Sequence, residues 1–527
     1  MGGREEERLA LQSSLDSQKT QAERNRLGQF ATPSKLARDT IHEAVTYLEG
    51  TRAISFMDPA FGTGSFFSAL LDEVPEERVR AARGFEIDPH YAGPTKALWE
   101  DTLLDLQLAD FTGVAPPAGE ADKPNLVICN PPYVRHHHII NGEKIRLRKT
   151  TEDACGSRLS GLAGLYCYFI GISHLWMQRG AVGAWLVPSE FMDVNYGQAV
   201  KKYLLNRVTL LRIHRFDPND VQFEDALVSS AVVFLRNVAP TADHVVSFTF
   251  GGSLRAPKVT RMVTRATLQN EPKWTRFPLS DVRDEAVHYR LSDLFTVKRG
   301  IATGDNGFFI LTAAEIKQHG LPLSVFRPIL PSPRYVSTDE IEADEKGNPV
   351  LDRQLYLLDC RLPEEEVQRR FPTLWAYLEK GSGTVSERYL CRSKKVWYSQ
   401  ERRPPAPILC TYIGRSDTAR KRPFRFILNH SKAVAANVYL LLYPKATLQR
   451  AMRTDKSLLR RIWAGLNDIR PDLVLGEGRT YGGGLHKLEP RELGSVDASP
   501  ILEVVPELRA ELAPVQANMF ESYATHK

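Results

Sequence analysis

The apolar run Asn125-Leu126-Val127-Ile128-Cys129 stops against Asn130-Pro131-Pro132-Tyr133, and this junction limits the fold of the chain more than any other stretch. Two consecutive prolines fix two φ angles and remove two backbone donors, so regular structure ends there. The run before them reads as a buried strand. In doubly wound sheets ligands collect at the carboxyl ends of strands, which puts this turn where chemistry is usually found.

The residue types at the turn suit an amino group. Asn130 offers a side-chain carbonyl and Pro131 a backbone carbonyl. An exocyclic NH2 conjugated to a ring is a poor nucleophile because its lone pair is delocalised. Two acceptors gripping its two hydrogens would pull the nitrogen toward tetrahedral geometry and localise that pair. Tyr133 supplies a flat face, and base–aromatic stacking is worth about 1–3 kcal/mol per base. A plain proline turn with Asn as a local cap and Tyr as rim packing would show the same four letters.

A second strand end lies upstream. Ser55-Phe56-Met57 runs into Asp58-Pro59-Ala60-Phe61-Gly62-Thr63-Gly64-Ser65-Phe66, then into an apolar helix through Leu70 and Leu71. Glycines there let backbone approach a ligand closely. The loop lacks the phosphate-cradling Gly-Lys-Ser/Thr pattern, and Asp58 would repel a pyrophosphate, so a cationic cofactor fits better. The next run, Gly84-Phe85-Glu86-Ile87-Asp88-Pro89, ends in an acid about twenty residues on, the spacing at which a carboxylate meets ribose hydroxyls. Glu86 is the ribose candidate. Leu108-Ala109-Asp110-Phe111 places a carboxylate and a ring at a third strand end, suited to an adenine amino group and its face.

In this order the motifs resemble the N6-adenine DNA methyltransferases of restriction–modification type, in the group whose cofactor motifs precede the catalytic tetrapeptide and whose target recognition domain follows. The resemblance covers roughly residues 27 to 240. It implies S-adenosyl-L-methionine as cofactor, double-stranded DNA as partner, and an α/β fold: a Rossmann-like domain with a mixed, mostly parallel seven-stranded sheet, followed by an α+β recognition domain. Gly28-Gln29-Phe30-Ala31-Thr32-Pro33 resembles the motif that contacts the methionine end of the cofactor, and Thr32 is carried over on that basis. The same carry-over assigns Asp58, Ala60, Gly62 and Gly64 to the cofactor loop, Glu86 to the ribose, and Asp110 and Phe111 to the adenine. Asn130, Pro131, Pro132 and Tyr133 match the catalytic tetrapeptide, and Phe223, in Val221-Gln222-Phe223, stands where a second aromatic packs the flipped base, although Gln222 departs from the usual pattern.

At 527 residues the chain has room for two or three domains, and 43% hydrophobic residues indicate sizeable cores. The reading divides it into a polar arm (1–26), a catalytic domain (27–240) and a recognition domain (241–527). The arm is expected to be solvated, with cover over the cofactor pocket as the alternative. No run reaches the roughly 18 apolar residues of a membrane helix, and the start is too charged for a signal peptide, so the expected location is cytoplasmic. Six cysteines form no Cys-x-x-Cys pair, and His136-His137-His138 lack acidic or thiol partners, so no metal is expected.

Two basic stretches suggest DNA contacts. The polar segment after Tyr133 carries Arg146, Arg148 and Lys149, and is expected to be a loop that clamps backbone phosphates beside the extruded base. Between Arg388 and Arg425, eleven Lys or Arg oppose two acids, with Tyr389, Trp397, Tyr398, Tyr412 and Phe424 interleaved and Phe426 just beyond. Lys394, Lys395, Arg402 and Arg403 are the candidates, against a reading as a charged face over ordinary core. Arg479 to Lys487 reads as a glycine hinge with basic ends or as a turn between core segments.

Enzymes that methylate an RNA base or a protein glutamine share the tetrapeptide but not the Gly-Gln-Phe-x-Thr-Pro element. Cytosine-N4 enzymes favour serine at the first position, and cytosine-C5 enzymes need a proline-preceded cysteine, which Cys129 is not. A non-catalytic DNA-binding protein on the same fold is the remaining alternative. No paired-acid nuclease strand is evident, so any cognate endonuclease is expected to be a separate protein, and the enzyme a monomer.

Overall fold

The computed structural model describes residues 2–48, 53–217, 230–278, 289–415, 422–481 and 485–512. Two compact units divide the chain near residue 284.

In the first unit, helices α1 (Gly2–Ser17), α2 (Gln21–Leu27) and α3 (Ser34–Thr46) lead into β1 (Ile54–Asp58), α4 (Ser65–Glu73), β2 (Val79–Glu86), α5 (Pro89–Leu98), β3 (Leu104–Leu108) and β4 (Leu126–Cys129). Then follow α6 (Asn141–Cys155), α7 (Leu165–Ile172), β5 (Val182–Pro188), α8 (Gln198–Asn206), β6 (Thr209–Arg215), β7 (Ser230–Arg236), β8 (Val245–Gly252) and β9 (Pro257–Thr264). The strands form one sheet ordered β3-β2-β1-β4-β5-β7-β6-β8-β9. From β3 to β5 all neighbours are parallel, and β7 runs antiparallel between β5 and β6.

Burial on both faces explains the unbroken apolar runs. Leu126 and Ile128 face a core shared with Leu36, Ile41, Phe66 and Leu70 of α3 and α4. Val127 and Cys129 face the opposite core, with Leu147, Tyr166, Phe169 and Leu204 of α6 to α8. The alternation of period two is the strand's own geometry, and each fully buried Leu, Ile or Phe stabilises by about 1.5–3 kcal/mol. Asn125 extends the β1–β4 ladder with its side chain: the amide donates to the Ala53 carbonyl (2.7 Å), and its oxygen accepts from the Ser55 N–H (2.9 Å).

Among the described residues the sheet has nine strands, not the expected seven. After residue 240 the chain does not leave the domain: β8 pairs parallel with β6 and β9 antiparallel with β8. Val246 and Phe248 are buried, so β8 continues the core and covers the row of backbone groups that β6 would otherwise leave open. The boundary expected at 240 therefore moves beyond Thr264.

The N-terminal stretch is not a solvated arm. Arg8 is only 1% exposed and donates to Glu5 (2.7 Å) and to Thr63 in the glycine loop (3.1 Å). Gln12 accepts from the Thr63 hydroxyl (2.6 Å), Asp16 from Tyr91 (2.6 Å), and Lys19 ion-pairs with Asp88.

The second unit is α+β, as expected. A five-stranded sheet joins Phe295–Arg299, Tyr439–Pro444, Ile408–Thr411, Phe426–Asn429 and Glu340–Ile341 in that order, with a four-stranded and a three-stranded sheet besides. Arg479–Tyr481 and Leu485–Lys487 are strands of the three-stranded sheet, and the glycines between them, 482–484, lie outside the described residues. Among the described residues no helix is long and apolar enough to cross a membrane.

Candidate active site

The carboxyl ends of β1, β2, β3 and β4 share one rim, because these strands are parallel neighbours. Asp58, Glu86, Asp110 and Asn130 stand at or just beyond those ends.

Asn130 is the best-defined group. Its side-chain nitrogen donates to the Phe30 carbonyl (3.0 Å) and to the Thr32 hydroxyl (3.1 Å). Tyr133 is held at several points. Its N–H donates to the Gly28 carbonyl (3.4 Å), and its hydroxyl donates to the Leu186 carbonyl of β5 (3.2 Å) and is bonded to Ser230 at the start of β7. Phe30 packs against its ring with centroids 5.7 Å apart. The ring is thus a fixed platform across the end of the sheet. Gly28 makes this docking possible: its φ is +68°, and a Cβ there would lie 2.4 Å from the Tyr133 nitrogen.

At the glycine loop, Asp58 is 2% exposed and accepts from the Ala60 N–H (3.0 Å). Burial pushes its carboxyl up to about 7, although the Ala60 N–H and the Cys129 thiol both donate to it. Glu86, 8% exposed, accepts from the N–H groups of Gly62 (2.9 Å) and Asp88 (2.8 Å), and burial raises its pKa as well. Gly64 closes the loop against Phe61, whose ring would lie 2.7 Å from a Cβ, whereas a Cβ on Gly62 would meet nothing within 4 Å. Two buried acids whose hydrogen bonds come from backbone N–H groups and a thiol, beside open space at a loop apex, form a site for a cationic group with hydroxyls. The donor set for a pyrophosphate is not what this loop provides. These residues fit S-adenosyl-L-methionine.

Three expectations need correction. Phe111 is 1% exposed and packs in the core against Phe85, Phe169 and Trp176 at 5.4–5.5 Å, so it has no free face to offer an adenine. The segment carrying Arg146, Arg148 and Lys149 is the helix α6 rather than a loop, with Leu147, Thr151, Ala154 and Cys155 on its buried face. Arg146 turns back to the rim: it donates to Thr112 (2.7 and 2.8 Å) and ion-pairs with Asp110 (3.2 Å) and Glu143, while Arg148 bonds the Leu159 carbonyl (3.1 Å) and Lys149 pairs with Asp153 (2.8 Å). In the second basic stretch Tyr398, Tyr412, Phe424 and Phe426 are core residues, which leaves Tyr389 as its exposed aromatic. Lys394 bonds the Thr303 carbonyl (3.4 Å) and Arg403 pairs with Glu401 (2.6 Å), while Lys395 and Arg402 are exposed. Phe223 lies outside the described residues.

Some hydrogen bonds beyond the strand ends were not foreseen. Gln29 donates to Asp88 (2.8 Å), and Tyr196 bridges Glu190 (3.3 Å) and Tyr166 (3.4 Å) just past β5. Gln29 stands inside a motif already singled out, whereas nothing in the sequence marks the tyrosine pair.

Comparison with known proteins gives concordant results. Residues 85–222 match the family described as Eco57I restriction-modification methylase, and residues 264–522 match the C-terminal domain of Type II methyltransferase M.Eco57I. The chain is 32% identical over 486 residues to Type II methyltransferase M.XamI of Xanthomonas campestris pv. amaranthicola, covering 89% of this chain and 84% of that one. It is 26% identical over 498 residues to Type II methyltransferase M.AccI of Acinetobacter calcoaceticus, covering 89% and 85%. Its fold is similar to the Type IIL restriction-modification enzyme MmeI, solved in complex with DNA, with a TM-score of 0.53 at 13% identity over 93% of this chain and 75% of that one.

Proposed function

The chain belongs to the Type II restriction–modification methyltransferases, and on that premise we propose that it methylates the N6 amino group of an adenine rotated out of double-stranded DNA at a specific site. It is a DNA methyltransferase that depends on S-adenosyl-L-methionine. The observation that carries the finer reading is the engagement of the Asn130 side-chain nitrogen by Phe30 and Thr32, which leaves its oxygen to accept.

The target atom lies inside the duplex stack, so the nucleotide must be extruded at a cost of a few kcal/mol. Stacking on the anchored Tyr133 ring offsets about 1–3 kcal/mol of this. Asn130 Oδ1 and the Pro131 carbonyl then accept the two amino hydrogens and localise the nitrogen lone pair. When bound, the cofactor supplies a methyl group on a positively charged sulfur. The nitrogen would take that methyl group and release its proton to solvent. Orientation by Asn130, Pro131 and Tyr133 supplies the rate, with Pro132 fixing the turn. Asp58 holds the amino end of the cofactor, Glu86 the ribose and Asp110 the adenine edge, while Ala60, Gly62 and Gly64 shape the loop. Lys395 and Arg402 are assigned to DNA phosphates. The reading includes a monomer acting in the cytoplasm beside a separate cognate endonuclease.

Asparagine rather than serine at position 130 supports adenine over cytosine. The deciding experiment incorporates labelled methyl groups into duplex DNA and identifies the nucleoside. N6-methyladenine that disappears in Asn130→Ala is the expected product. N4-methylcytosine, or label only in RNA or protein, would overturn the reading.

A further inference from the structure

We infer that the segment Gly28–Thr32 is a positioning element for the catalytic amide, in which the Phe30 carbonyl sets which way Asn130 faces and Thr32 holds its second amide hydrogen. This rests on the role just proposed for Asn130 and departs from the cofactor contact expected of Thr32.

A primary amide can present its oxygen or its NH2, and the two orientations have opposite effects on an amino substrate. A flipped Asn130 would set donor against donor at the target nitrogen. The Phe30 carbonyl only accepts, so the group facing it at 3.0 Å is the NH2. Thr32 Oγ1 lies 3.1 Å from the same nitrogen. Two acceptors for two hydrogens leave no amide N–H pointing toward the substrate, and Oδ1 becomes the exposed face of the group. Phe30 alone would hold one hydrogen; Thr32 engages the second.

The segment is built to hold this geometry. Thr32 is 7% exposed and precedes Pro33, which keeps its backbone extended. At its other end Gly28 meets the Tyr133 N–H, and Gln29 donates to Asp88 beyond the end of β2 (2.8 Å). One strap of five residues thereby ties the acid-bearing strand end to the catalytic turn.

The test compares Thr32→Val, which keeps the shape but removes the acceptor, with Thr32→Ser, which keeps the hydroxyl. Single-turnover methylation is measured at saturating DNA and S-adenosyl-L-methionine, with cofactor Kd measured by calorimetry. Loss of one such hydrogen bond predicts a rate about five- to tenfold lower in Thr32→Val. Thr32→Ser should return to within about twofold of the parent, with the Kd little changed in both. The saturated rate decides. A parental rate in Thr32→Val with a raised Kd assigns Thr32 to the cofactor alone and overturns the inference. So does a Thr32→Ser variant as slow as Thr32→Val, which would point to packing of the methyl group. If Thr32→Val does not fold, Thr32→Ala is judged by the same criteria. Failure of the adenine reading shows separately, as a product nucleoside other than N6-methyladenine in the parent enzyme.

Discussion

Gly28 and Tyr133 meet backbone to backbone, the carbonyl of one accepting the N–H of the other at 3.4 Å, in a gap that has no room for a Cβ. Gly28→Ala therefore combines strain at a φ of +68° with a 2.4 Å contact. We expect kcat to fall at least tenfold, since about 1–3 kcal/mol of strain is relieved by lifting the strap from the turn. Parental methylation kinetics would show that the turn does not depend on this contact.

Asp58 gives a pH dependence with a definite sign. Burial raises its carboxyl from 3.8 to about 7, so its protonated form favours the apo fold. That contribution is fully present below about 4 and is lost as the pH rises through about 7. Cofactor binding needs the ionised form, so affinity should weaken below about pH 7 and level off above it. Asp58→Asn should stabilise the apoenzyme at pH 8 by on the order of 2–4 kcal/mol, because the buried charge is gone. The same variant should lose the thermal upshift that S-adenosyl-L-methionine gives the parent. Scanning calorimetry of both proteins at pH 5.5 and 8 reads both effects, and an unchanged upshift would remove Asp58 from the cofactor site.

Docking of α1 is testable through Arg8. Breaking a buried ion pair from one side costs about 3–5 kcal/mol, and Arg8→Met leaves Glu5 without its cation. The variant should melt lower and bind S-adenosyl-L-methionine several-fold more weakly, because Thr63 also loses a partner. Burial raises the Glu5 carboxyl, but hydrogen bonds from Arg8, Ser34 and Ser68 outweigh it and bring it to about 2. Its stabilising contribution is therefore present above about 4.5 and lost as pH falls toward about 2. Hydrogen exchange along Gly2–Ser17 at pH 6 and pH 3 would follow the loosening; equal protection at both would contradict it.

Salt dependence separates the two basic stretches. Each phosphate contact adds about 0.9 to the slope of log K against log salt. Lys395→Ala and Arg402→Ala should each reduce the slope by about that amount. Arg146→Ala should leave it unchanged and instead weaken cofactor binding, because its guanidinium is committed to Asp110, Glu143 and Thr112. A full-unit loss of slope in Arg146→Ala would restore the phosphate clamp expected from sequence.

The strand ends were readable because parallel sheets buried on both faces leave continuous apolar runs that stop abruptly at polar turns, as at Met57-Asp58 and Cys129-Asn130. The orientation of Asn130 was not readable, since it depends on a segment a hundred residues away. Charge misled in three places for one reason: Arg8, Arg146 and Lys394 look like solvated or ligand-binding cations in a sequence, and become internal fasteners once Thr63, Asp110 and the Thr303 carbonyl are brought beside them. Phe111 misled in the opposite sense, because a ring at a strand end looks the same whether it faces a ligand or Phe85 and Trp176.

The two extra strands matter to anyone grafting the C-terminal half of this enzyme onto a relative. A splice at residue 240 would set β8 and β9 of this enzyme against a foreign β6, and any mismatch would bare the rim that β6 presents along Arg212–Arg215. Uncovered strand borders recruit other chains, so such chimeras should precipitate for reasons unrelated to sequence preference. A crossover placed after Thr264 keeps the recipient's sheet whole.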